Sequence, residues 1–164
     1  MAPKDHKRLD CSADDPLPDH AESIIPDPHD KPGVLVVDDD DLVRSVVQLG
    51  LDRNGFDVWL AANGREAIQL YHNHRNHIAV VLLDVCMIGM DGPQTLDALR
   101  EVNPNVLACF MSGNIGDYDL DKLRNRGAAS FIAKPFQLNQ LALLLRRVVQ
   151  EHPAAPVTSG SGQS

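Results

Sequence analysis

The chain has 164 residues, 43% of them hydrophobic and 23% charged, with a formal net charge of −8; that is enough for one globular domain with tails, and the wrong sign for a basic nucleic-acid-binding face. Only 4% is aromatic, so the core has to come from Val, Leu, Ile and Ala. No apolar stretch approaches the roughly 18 residues of a membrane span, the start lacks the apolar segment of a secretory signal, and three cysteines (Cys11, Cys86 and Cys109) suit reduced thiols in a cytoplasm better than a disulfide framework.

Residues 1–32 hold six of the eleven prolines, eight acidic and four basic side chains. Such a segment buries too little apolar surface to offset its chain entropy, and a disordered arm is expected. The Pro-, Ser- and Gly-rich residues 152–164 are expected to form a disordered tail. Between them, at 33–151, the pattern is regular. GVLVVD reads as a buried strand and LVRSVVQLGLDRNG as a helix stopped at Asn54-Gly55, with Asp41 (or Asp40) as its cap. FDVWLA is a second strand; NGREAIQLY is a helix capped by Asn63, with Glu66 three residues on. IAVVLL is a third strand, and a helix starts at Asp91-Gly92-Pro93, carrying Leu96, Leu99 and Val102. NVLACFM is a fourth strand. A weaker helix is expected over about 115–126, ended by Gly127. ASFIA is a fifth strand, and LNQLALLLRRVV an amphipathic helix with Leu138, Leu141, Leu145 and Val148 on its stripe.

Five strand-helix repeats with strands apolar throughout imply an α/β fold. The expected architecture is a doubly wound, five-stranded parallel sheet covered by helices on both faces, with sites beyond the carboxyl ends of the strands. At that edge the sequence puts Asp38 to Asp41 after the first strand and Asp84 after the third. Ser112-Gly113 follows the fourth and Lys134-Pro135-Phe136 the fifth. Clustered carboxylates stay ionised together only beside a cation, and oxygen-only ligands suit Mg2+. A lysine and a hydroxyl beside them supply what a phosphoryl group requires.

VLVVDDD, DVCMIGMDG, MSG and KPF, in that order at strand ends, make residues 33–151 resemble the receiver domain of two-component response regulators, a flavodoxin-like fold. The resemblance implies Asp84 as phosphoacceptor, charged by a sensor histidine kinase or a histidine phosphotransfer protein. It implies Asp39 as a direct Mg2+ ligand, Asp38 acting mainly through water, and the main-chain carbonyl of Cys86 as a further ligand. Ser112 and Lys134 would bind the phosphoryl group, and Ser112 and Phe131 would form the switch. Phe131 lacks the hydroxyl of the family's tyrosine, so an inward-biased ring is expected. The Lys134-Pro135 bond is cis in the family. Ile88 departs from it, standing where proline usually follows the Met of this turn. With few residues after the last helix, output is expected through a partner protein on the fourth-helix, fifth-strand and fifth-helix face around Leu120, Leu123, Phe131 and Gln140, without nucleic acid or membrane.

Simpler readings apply to some residues. HNHRNH at 72–77 reads as an exposed helix end, Cys86 as an unreactive side chain, and Phe131 serves the core equally well. Two other functions compete. One is a receiver-like binding module that is never phosphorylated. The other is a haloacid-dehalogenase-like phosphatase using Asp38-x-Asp40, which lacks its further acidic pair after the lysine and its flap after the first strand.

Overall fold

The computed structural model describes residues 31–113 and 120–153. Nearly all of the expected N-terminal arm and C-terminal tail, and the start of the expected fourth helix, lie outside these residues. The chain alternates β1 (Gly33–Val37), α1 (Asp41–Arg53), β2 (Asp57–Ala61), α2 (Gly64–His74), β3 (Ile78–Asp84), α3 (Gly92–Val102), β4 (Ala108–Ser112), α4 (Leu120–Asn125), β5 (Ser130–Ala133) and α5 (Leu138–Glu151). All strand pairs are parallel, in the order β2-β1-β3-β4-β5. From β1 the chain steps outward to β2 and then returns to the other flank of β1, so the crevice between β1 and β3 is the switch point of the winding, where such sheets bind ligands.

Alternate strand residues feed two cores, as the period of two requires. Val34, Val36, Leu82 and Met111 pack with Val47 and Leu51 of α1 and Leu141 and Leu145 of α5. Leu35, Val37, Leu83 and Phe110 pack with Tyr71 of α2, Leu96 and Leu99 of α3 and Leu123 of α4. Each such side chain, fully buried, contributes about 1.5–3 kcal/mol of hydrophobic stabilisation.

Local chemistry sets the helix ends. The cap of α1 is Asp40, whose carboxylate accepts from the N–H groups of Leu42 and Val43, while Asp41 is already helical. The favoured sequence expectation was one residue late because a run of aspartates offers several equivalent capping oxygens. Asn63 caps α2 through the Glu66 N–H at 2.9 Å, and Glu66 turns back to the Ala62 N–H. Asp91 and Gln94 close a reciprocal box at the start of α3. The last turn of α4 closes through Gly127 N–H to Arg124 O and Ala128 N–H to Leu123 O, with Gly127 at φ +79°. That paired pattern requires a left-handed residue, which glycine supplies without strain. Arg100 of α3 donates to the carbonyls of both Arg126 and Gly127, so the end of α4 is tied to the neighbouring helix.

Candidate functional site

β1 and β3 deliver their last residues to the same rim. Asp38 and Asp84 are buried, at 1 and 6% exposure, and Asp39 beside them is exposed. One oxygen from each of the three lies within 4.8 Å of the others. Gly92 holds this corner closed. Its N–H donates to the Val85 carbonyl, and a Cβ there would stand 2.3 Å from the Asp84 carbonyl oxygen. Any larger residue would push α3 away from the strand tip.

Lys134, at the end of β5, reaches back over this rim. Its Nζ donates to Asp38 Oδ2 at 2.6 Å and to Asp84 Oδ1 at 3.0 Å. Asp38 also accepts the Asp40 N–H on Oδ1 at 2.9 Å, and its carbonyl accepts from the Arg44 guanidinium. Asp39 Oδ2 accepts the N–H of Ile88 at 3.1 Å. Burial pushes the Asp84 carboxyl above its ordinary range; Lys134 opposes this, and the charges of Asp38 and Asp39 reinforce it. Burial alone would lower the Lys134 ammonium, but its bonds to Asp38 and Asp84 raise it above the usual lysine value. The lysine therefore stays charged at neutral pH.

The other expected residues fall around this cluster. Ser112 is buried at the tip of β4, and its carbonyl accepts the Lys134 N–H at 2.8 Å. The Lys134-Pro135 bond is cis. Cys86 is exposed beyond β3. Phe131 is half-buried, its ring stacked on Phe110 at 6.1 Å with the Arg124 guanidinium 6.0 Å from its centre. Leu120, Arg124 and Phe131 border a cavity of about 400 Å³ between α4 and β5. In HNHRNH, α2 ends at His74, whose ring lies 5.5 Å from that of Trp59, while His72 and His77 are exposed.

The dehalogenase-like arrangement fares differently. Asp40 is spent on capping α1, which begins at once with no inserted flap, and both oxygens of Asp38 are already hydrogen-bonded. Sequence reading missed two contacts at the rim: Arg44 on the Asp38 carbonyl, and the Ile88 N–H on Asp39. The second had a signal, since replacing a proline restores a donor.

A doubly wound sheet with an acidic rim at its switch point is the architecture of CheY-like proteins. The response regulator receiver domain family matches residues 34–146, and the chain belongs to that family. Sensor kinase CckA of Brucella abortus is 34% identical over 118 residues, 72% of this chain and 12% of that protein. Regulatory protein AtoC of Escherichia coli is 32% identical over 117 residues, 71% of this chain and 25% of that protein. The chain thus spans only a small part of these curated relatives. Among solved structures, chemotaxis protein CheY4 of Vibrio cholerae matches with a TM-score of 0.67 at 28% identity, over 72% of this chain and 98% of that one. The CheX-CheY-BeF3-Mg2+ complex of Borrelia burgdorferi matches at 0.64 and 31%, over 73% and 88%. Receiver domains are signalling switches of two-component systems, and phosphorylation and Mg2+ binding are features of the family. Among the described residues no helix is long and apolar enough to cross a membrane.

Proposed function

We propose that this chain is a phosphoacceptor switch that takes a phosphoryl group onto Asp84 from a histidine kinase or phosphotransfer protein in the cytoplasm. The observation that carries the reading is the Lys134 ammonium bridging Asp38 and Asp84 at 2.6 and 3.0 Å, with Asp39 in the same cluster. An Asp84 oxygen attacks phosphorus; the new O–P bond forms as the P–N bond to the donor histidine breaks and the imidazole leaves with the electron pair. Lys134 then donates to the phosphoryl oxygens, and the Ser112 hydroxyl adds a hydrogen bond. Such preorganised donors act where charge develops.

The donor set fits a hard divalent cation: three carboxylates whose oxygens lie within 4.8 Å of one another, with no sulfur or imidazole among them. Asp39 and Asp84 would hold Mg2+ directly, Asp38 through water, and the main-chain carbonyl of Cys86 would complete the protein ligands. Bound there, Mg2+ neutralises charge on the transferring group. The signal leaves through the α4, β5 and α5 face around Leu120, Leu123, Phe131 and Gln140, to a partner protein. Incubation with acetyl phosphate and Mg2+, followed by mass spectrometry, tests the reading. One phosphoryl group is expected on Asp84, absent without divalent cation and absent in Asp84→Asn. An unmodified wild-type chain would leave only the non-phosphorylated binding module.

A further inference from the structure

Ile88 stands where the family usually has proline, and the difference adds an atom that proline lacks, a backbone hydrogen on nitrogen. That N–H donates to Asp39 Oδ2 at 3.1 Å, linking the turn after β3 to the tip of β1 across 49 residues. Among the three clustered carboxylates Asp39 is the exposed one. Asp38 and Asp84 are buried and fixed by Lys134, whereas an exposed carboxylate samples several rotamers unless something holds it. The Ile88 side chain is 89% exposed, so it supplies little packing that could explain the residue.

We infer that the Ile88 amide is a positioning group for Asp39. It keeps the exposed carboxylate turned into the cleft, beside the Asp38 and Asp84 oxygens, before a divalent cation arrives. A backbone N–H donating to a carboxylate is a charge-assisted hydrogen bond, and at 3.1 Å this one sits toward the long end of the N–H···O range, enough to favour one rotamer of the carboxylate. It also leaves the carboxylate further lone pairs, so the amide orients the group without excluding a cation. The gain is preorganisation: the rotamer entropy of Asp39 is already spent when the cation binds. The inference rests on the Mg2+-site reading given above, and it concerns the main chain of residue 88 alone.

Two substitutions separate backbone from side chain. Ile88→Ala keeps the N–H and removes the exposed side chain; Ile88→Pro removes the N–H and restores the family's usual residue. Calorimetric titration of the full-length chain with Mg2+ should give Ile88→Ala the wild-type affinity. Ile88→Pro should bind about tenfold more weakly, the low end for loss of a ligand-orienting contact. Wild-type or tighter binding by Ile88→Pro overturns the inference, and so does an equal loss in both variants. A wild-type chain that binds no Mg2+ overturns the metal-site reading and this inference together. A metal-free readout distinguishes them. In 1H–15N spectra recorded in chelator, the Ile88 amide proton should lie downfield and exchange slowly, and Asp39→Ala should abolish both properties. An Ile88 amide indifferent to Asp39→Ala overturns the positioning role while leaving the metal site standing.

Discussion

β3 and β5 belong to one sheet and meet the same rim, yet they are built differently. β3 runs seven residues between two neighbouring strands, with only Ala79 short of full burial. β5 runs four residues on the sheet edge, paired only with β4, and none of its side chains is fully buried. The central strand ends in Asp84, the proposed phosphoacceptor; the edge strand carries Phe131 and ends beside Lys134, the groups that the proposed function has respond to a change at Asp84. Local stability follows buried apolar contacts and shared hydrogen bonds, so a sheet can hold a fixed and an adjustable part side by side.

The widest test of that contrast is in the cores. Leu83→Ala in β3 should cost about 3–4 kcal/mol in urea unfolding, in the usual range for a fully buried leucine. Ile132→Ala in β5 should cost about 1–2 kcal/mol, because its side chain is only partly buried. Equal losses would erase the distinction.

Lys134 is the tether between the two regions, and its removal should be the next largest effect. Lys134→Ala leaves Asp38 and Asp84 facing each other with no cation. Breaking such a buried pair costs about 3–5 kcal/mol, and the 22% exposure of the lysine side chain lowers this to about 2–3 kcal/mol. Added Mg2+ should recover part of the loss, measurable as a rise in the melting temperature greater than that of wild type. A variant as stable as wild type in chelator would deny the tether.

pH sharpens the same point with a smaller signal. Asp84 has a raised carboxyl pKa, so the stability linked to its proton is present below the ordinary value near 3.8 and is lost as pH rises through the raised one. Asp84→Asn removes that loss. In chelator, the variant should therefore gain on wild type as pH rises from the ordinary carboxyl value near 3.8 through the raised one, as followed by thermal unfolding. Lys134 does not confuse this window, since its own raised pKa keeps it charged throughout. A constant difference across the range would mean that Asp84 is not destabilised when ionised.

The smallest effect is a labelling pattern. Cys109 lies buried in β4, where burial pushes its thiol up to about 12, with a partial offset from the Ser130 backbone. Cys86 is exposed at the end of the β3 region. Excess iodoacetamide at pH 7.5 should modify Cys86 slowly, because its exposure alone lets the reagent reach a side chain that has no activating role, and should spare Cys109 in the native chain, with both modified in urea. Native modification of Cys109 would show that β4 opens more readily than its burial implies.

Much of this was legible in the sequence because the signals are local. IAVVLL has no reading other than a buried segment, and an aspartate at its end has to sit on the rim of a parallel sheet. The same holds for Asp38 after GVLVV, and for Lys134 after ASFIA once the strands are counted. What escaped depends on contacts between distant residues or on one-residue choices. The sequence offered Asp41 or Asp40 as the cap of α1, and only backbone geometry chooses Asp40 between such equivalent oxygens. Arg100 on the carbonyls of Arg126 and Gly127 joins α3 to the end of α4, and no periodicity announces a guanidinium that far from its acceptors. α4 itself, described over Leu120–Asn125, lacks a long apolar stripe, so its boundary was the vaguest of the five helices.

That Arg100 clamp has a mechanical consequence. A rod pinned at one end can swing but cannot slide, and α4 is pinned at the end nearest β5. The six residues of α4 make a lever of about 9 Å at 1.5 Å per residue. A swing of about 10° about that fulcrum would carry the far end, the one that follows Ser112 in the chain, through about 1.6 Å, while the residues next to Gly127 hardly move. Any swing of α4 about that clamp would therefore be graded along the helix, greatest at Leu120 and least at Asn125.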